Sequence, residues 1–258
     1  MLTARALEGL PEIAAGDDLA ARIVARLGDA AGGDAALRDG DVVVVAHKAV
    51  SKAEGRVRRL ADVTPGERAR ELAAAQRKDP RHVQVVLDET AELLRTARGV
   101  LICMTHHGFV CANAGVDASN AAAGGDDTLI LLPADPDASA RALRARLREL
   151  TGAAPAVVIT DSFGRAWRHD QVDVAIGAAG LAPLEDWRGR RDSVGRELQA
   201  TWIALADQIA AAADLARRKD SRQPVTIVGG LDRHVLPAGD DGPGALTLLR
   251  PASEDLFR

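Results

Sequence analysis

A chain of 258 residues with a net charge of −4 can bury one large core or two smaller packed ones, and Ala, Val and Leu rather than rings supply its apolar share. With no Tyr, three Phe, three Trp and no long basic run, it lacks the stacking surface and electrostatic footprint of a nucleic-acid binder. No apolar stretch reaches the length of a membrane span and Met1 to Gly9 holds no signal-peptide core, so we expect a soluble, cytoplasmic protein without membrane or nucleic-acid partners.

In chain order, Asp17-Asp18 predicts the cap of a helix through Leu27, and Asp39-Gly40-Asp41 a turn into a strand at Val42 to Ala46. Pro65 predicts a helix with Glu67 in its first turn, and the apolar spacing of Val85 to Arg95 predicts another. Val100 to Met104 and Thr128 to Leu132 read as strands around a Gly- and Asn-rich segment. Asp137 to Leu150 reads as a helix with Arg and Glu on its exposed face. Pro155 to Thr160 is a β-branched strand that ends at Asp161. Val172 to Ile176 alternates like a strand, Val194 to Arg218 carries the longest helical pattern, and Val225 to Val228 is a last strand. Cys103 and Cys111 read as small core residues. The adjacent His106 and His107 lack zinc-ligand spacing.

Three segments can carry chemistry. Cys111 to Asn120 gathers Asn113, Asp117, Ser119 and Asn120, short oxygen and amide groups of the kind that hard cations prefer, although a capped turn would use the same residues. Thr160-Asp-Ser-Phe-Gly-Arg-Ala-Trp-Arg168 sets Asp161, Ser162 and Arg165 together, as metal-bound phosphate requires. Its plain alternative is a turn cap with a surface ion pair. His47 to Arg56 offers Lys48, Ser51 and Lys52 after a buried-type strand, either for phosphate oxygens or as an exposed basic loop. Neither a Walker-type loop nor a G-x-G-x-x-G after a strand is present.

Taken in order, Gly9-Leu-Pro-Glu-Ile13, Val50-Ser-Lys-Ala-Glu-Gly-Arg56, Cys111 to Asn120, Thr160 to Arg168, Asp173-Val-Ala-Ile-Gly177 and Asp186-x-Arg-Gly189 resemble the coenzyme F-420-0:L-glutamate ligases over nearly the whole chain. The resemblance implies an α+β fold with mixed sheets and helices, one unit over residues 1–258 built as two entwined parts, and a homodimer. It further implies an amide ligase that uses GTP to join glutamate to the lactyl carboxylate of a deazaflavin coenzyme through an acyl phosphate. A different carboxylate acceptor, or a non-catalytic binder of nucleotide or deazaflavin, are the alternatives.

Carried over residue by residue, the resemblance assigns Asp117, Asp161 and Ser162 to two Mn²⁺ or Mg²⁺ ions, and leaves room for a monovalent cation. Lys52 joins the two aspartates as a catalytic group. Leu10, Pro11, Glu12, Ile13, Lys48, Ser51, Lys52, Asn120, Arg165 and Lys219 are expected to touch GTP. Two departures stand out, because the family follows its long helix with M-G-[QK] and closes the next strand with R-G. Here those stretches read Arg217-Arg-Lys219 and Val228-Gly-Gly230, so the second metal lacks an expected carbonyl ligand and Gly229 replaces an arginine.

Overall fold

A computed structural model of the chain describes residues 1–29, 36–118, 127–218 and 220–255, so Asn120 and Lys219 lie outside the described residues. The fold is α+β. In order it comprises β1 (Thr3–Ala6), α1 (Leu19–Asp29), β2 (Val42–Ala46), α2 (His47–Ala53), β3 (Val57–Arg59), α3 (Glu67–Gln76), α4 (Pro80–Asp88), β4 (Thr90–Ala97), β5 (Val100–Thr105) and β6 (Val110–Ala112). There follow β7 (Thr128–Ile130), α5 (Pro136–Thr151), β8 (Ala156–Gly164), β9 (Gln171–Ala179), β10 (Leu184–Asp186), β11 (Trp202–Ala204), α6 (Leu205–Leu215) and β12 (Val225–Gly229).

The main sheet has the order β1-β12-β2-β8-β9, with β2 and β8 parallel and the other neighbours antiparallel. Successive residues of a strand point to opposite faces. Val43 and Val45 accordingly join a core with α1, α2 and α5, while Val42 and Val44 join another with Leu205, Ala206 and Ile209 of α6. That double burial explains why β2 is an unbroken valine run. A third cluster packs α3 and α4 on the sheet β4-β5-β6, with Leu101 and Cys103 beside Leu72, Val83 and Val86. No described helix is long and apolar enough to cross a membrane.

Caps account for the elements that pattern located well. Asp18 accepts from Ala21 N at 2.9 Å to open α1, and Asp135 accepts from Ala138 N at 2.9 Å with Pro136 in the first turn of α5. Three expectations need correction. The helix foreseen over Val85 to Arg95 stops at Asp88, where Thr90 Oγ1 donates to Val86 O at 2.5 Å, and the chain enters β4 against β5. The long pattern from Val194 forms a helix only over Leu205–Leu215, because residues before it make turns on Asp192 and then the strand β11. The exposed arginine face of α5 does not include Arg144, which is 2% exposed and donates to the carbonyls of Pro155, Leu236, Pro237 and Asp240.

Candidate active site at the ends of two parallel strands

The parallel pair ends with Ala46 opposite Thr160, so α2 starts level with Asp161. This is the carboxyl end of adjacent parallel strands, the edge where α/β sheets usually hold ligands. Two consecutive residues of α2 then reach two carboxylates from distant parts of the chain. His47, 1% exposed, brings Nε2 to 3.4 Å from Asp161 Oδ1, and Lys48 Nζ lies 2.6 Å from Asp117 Oδ2. The His47 contact is not aligned as a hydrogen bond, so Nε2 is a buried nitrogen without a hydrogen-bond partner. Asp117 and Asp161, expected to act together, thus both contact the first turn of α2.

Asp117 is fixed by its backbone. Its N–H donates to Ile130 O at 3.0 Å and its carbonyl accepts from Ile130 N at 2.8 Å. The turn before it is tight, with Gly115 at φ +71° and Leu132 side-chain atoms 2.8 Å from where a Cβ would stand. Asn113 is a structural brace rather than a ligand: its Oδ1 accepts from Lys78 Nζ at 3.0 Å and Leu101 N at 3.3 Å. Beside this turn, burial lowers the Lys78 and His82 pKa values, with the Lys78 charge adding to the effect on His82. Both lay outside the sequence expectations.

Asp161 does not end its strand as expected. β8 continues to Gly164 against β9, with a register shift between Ile159 and Thr160. Asp161 turns toward α2, where its Oδ1 also accepts from Ser162 N at 2.8 Å. Thr160 and Ser162 turn to the other face and meet Asp173, at 3.0 Å from Thr160 Oγ1 to Oδ2 and 2.6 Å from Ser162 Oγ to Oδ1. Asp173, 3% exposed, also pairs with the Arg217 guanidinium. Ser162 and Asp161 therefore face opposite ways, an arrangement that alternation along a strand dictates. Arg217 appeared in the sequence only as a departure from the family pattern.

The segment 10–13 lies along α2. Glu12 pairs with Lys52, Gly16 N donates to Ala53 O at 2.8 Å, Ile13 is core, and Leu10 packs against that core while Pro11 is exposed. Ser51 is 0% exposed with its Oγ 3.3 Å from His47 Nδ1, so its hydroxyl serves the interior rather than a phosphate. Lys48 and Lys52 keep part of their side chains at the surface. Arg56, at the end of the same motif, braces the molecule through Leu132 O at 2.9 Å and Glu89 at 2.7 Å. Arg165 sits at the tip of the β8–β9 hairpin, donating to His169 O at 2.8 Å.

The two departures separate in space. Arg217 NH1 donates to Pro224 O at 3.3 Å, and Ala46 N donates to that same carbonyl at 2.8 Å, so Arg217 is at the site end of the sheet. Gly229 pairs with Thr3 beyond Val42, with Asp41 Oδ1 3.3 Å from where its Cβ would stand. That is the far end of β2, five residues and roughly 17 Å from Ala46. Gly229 therefore lies at the opposite end of β2 from the start of α2.

The cysteines are free and buried. Burial, followed by the nearby Asp161 and Cys103 charges, pushes the Cys111 thiol up to about 12. Both thiols thus stay protonated at neutral pH. His106 Nε2 contacts Asp88 O at 3.1 Å and His107 Nε2 contacts Pro133 O at 2.9 Å, so the two rings serve separate loops.

As for a metal, Asp117 and Asp161 supply hard oxygens that are 32% and 15% exposed, and Asp117 already rests against a cation. Among the described residues no group of three or more His, Cys, Asp or Glu gathers to hold an ion. Asp117 and Asp161 are the residues that would hold a hard divalent ion such as Mg²⁺ or Mn²⁺, whose remaining ligands would have to come from elsewhere.

A family model described as F420-0:Gamma-glutamyl ligase matches residues 9–230. The coenzyme F420:L-glutamate ligase of Methanothermobacter thermautotrophicus is 43% identical over 254 residues, covering 98% of this chain and 97% of that protein. The enzyme of the same name from Methanopyrus kandleri is 44% identical, covering 94% of this chain and 92% of its own. For that of Archaeoglobus fulgidus the identity is 45%, with 88% of this chain and 86% of that protein covered.

Proposed function

Since the chain belongs to the F420-0:gamma-glutamyl ligase family, and is a ligase joining glutamate to F420, we propose that it uses GTP to activate the acceptor carboxylate as an acyl phosphate. The observation that supports this reading is the start of α2, where His47 and Lys48 meet Asp161 and Asp117. Lys48 and Lys52 present ammonium groups to the phosphates, while Glu12 and Asp117 hold them in place beforehand. Asp117 and Asp161 would hold Mg²⁺ or Mn²⁺, which supplies charge neutralisation on the γ-phosphate.

The acceptor carboxylate oxygen attacks the γ-phosphorus, and the bond to the β-phosphate oxygen breaks to give GDP. The amine of glutamate then attacks the acyl carbon, phosphate leaves, and the ammonium-derived protons pass to water or phosphate. No protein nucleophile is needed, so positioning and exclusion of water are the tasks of the chain. We also propose a homodimer, supported by exposed large apolar side chains: Trp167 between β8 and β9 is 87% exposed, Val194 between β10 and β11 is 74% exposed, and Trp202 in β11 is 51% exposed.

Incubation with GTP, Mn²⁺, the mono-lactyl deazaflavin and glutamate should give a product heavier by glutamyl residues together with GDP. With ¹⁸O in the acceptor carboxylate, one label should appear in the released phosphate. Glutamyl product without transfer of ¹⁸O would exclude the acyl phosphate, and product formation indifferent to GTP would exclude the nucleotide.

A further inference from the structure

On the Ser162 face of β8, the place expected to hold a second divalent ion already contains a fixed cation. Arg217 has 7% of its side chain exposed, and its NH2 group bonds Thr160 Oγ1 at 3.0 Å and pairs with Asp173. Its NH1 donates to Pro224 O at 3.3 Å, and its Nε lies 3.4 Å from Asp214 Oδ1. Asp173 in turn receives the Ser162 hydroxyl at 2.6 Å. The serine hydroxyl, the carboxylate and the guanidinium thus belong to one largely buried, charge-assisted network.

A divalent ion bound to Ser162 Oγ on this face would share the space with the guanidinium. Like charges so close, in a region with little water, repel strongly. Asp161 cannot swing the balance, because it projects from the opposite face toward His47. The donor set at Ser162 therefore does not fit a second ion in this chain.

We propose that this ligase binds a single divalent ion, at Asp117 and Asp161, and that Arg217 supplies the positive charge on the Ser162 face. Arg217 is a positioning residue in this scheme. It holds Asp173, which orients Ser162, whose N–H bonds Asp161 Oδ1 at 2.8 Å. The inference rests on the metal reading given above.

Counting Mn²⁺ bound to the full chain by electron paramagnetic resonance, with saturating GDP and inorganic phosphate, tests it. One ion per chain is expected, lost in Asp161→Asn and in Asp117→Asn, with Mn²⁺ activation following a simple hyperbola. Arg217→Gln uncovers the buried Asp173 carboxylate, and should bind two Mn²⁺ per chain and gain more melting temperature from Mn²⁺ than the wild type does. Two tight ions on the wild type would overturn the proposal while leaving the metal reading intact. No ion at all would overturn both. If Arg217→Gln does not fold, the wild-type count alone decides.

Discussion

At Asp161 and Ser162, two neighbouring side chains that look like one ligand pair in sequence are sent to opposite faces of a strand. Asp161 shares its face with α2, and Asp117 meets the next residue of the same helix. Changing either aspartate to Asn keeps shape and removes a hard anionic oxygen. We expect Asp117→Asn and Asp161→Asn to fold with unchanged circular dichroism and to lose about 100-fold or more in turnover. Near wild-type rates in either variant would sink the metal assignment. Cys111 offers a readout at the same scale. Its folded value of about 12 lies above the ordinary 9.0, so its contribution to stability is complete below pH 9.0 and is lost as pH rises toward 12. Melting curves across that range should fall less steeply for Cys111→Ala than for the wild type. The residues of the candidate site were half legible in the sequence. Asp117, Asp161 and Lys48 announced themselves by type and company, whereas His47, Asp173 and Arg217 acquire meaning only when strands bring them together.

Among the elements, periodicity located β2 and α5 well because both are bounded by cues the chain carries locally: Asp39-Gly40-Asp41 before one, Asp135-Pro136 and Gly152 around the other. It failed where a partner strand decided. The helical spacing read over Val85 to Arg95 runs on from α4 into β4, which pairs with β5, and Trp202–Ala204 leaves the helical pattern to pair with β10. Periodicity also misread charge, for Arg144 on α5 is buried and ties down the segment 236–241 through the carbonyls of Leu236, Pro237 and Asp240 and the Asp241 carboxylate, with a further bond to Pro155 O. Arg144→Leu leaves those carbonyls without their donor, and should cost ~3 kcal/mol in urea unfolding and open that segment to proteolysis. Asp207 in the first turn of α6 works in the other direction. Burial raises its pKa above 3.8, so the stability it gives is present below that value and lost as pH rises through the folded value. Asp207→Asn keeps an acceptor for Ala175 N and should melt higher at pH 7, converging on the wild type below pH 3.8.

Over the whole molecule, the candidate site lies on a seam. Ala49 and Val50 of α2 belong to the core under the main sheet, while Ala114 and Val116 of the Asp117 turn belong to the core of α3, α4 and the small sheet. A ligand gripping both sides should strengthen the molecule as one body. GDP with Mn²⁺ at about 100 times the dissociation constant should add about 2.7 kcal/mol to the unfolding free energy, and a chelator should remove the gain. A melting temperature indifferent to both ligands would tell against the site. Lys48 occupies one carboxylate oxygen of Asp117. A divalent ion arriving at Asp117 must exchange with an ammonium, and the displaced ammonium is carried by the same helix as Lys52, ready for the next anion. Metal and nucleotide should then assist each other by equal factors, as thermodynamic reciprocity requires. Lys48→Met should leave each ligand able to bind alone while bringing that mutual factor toward one.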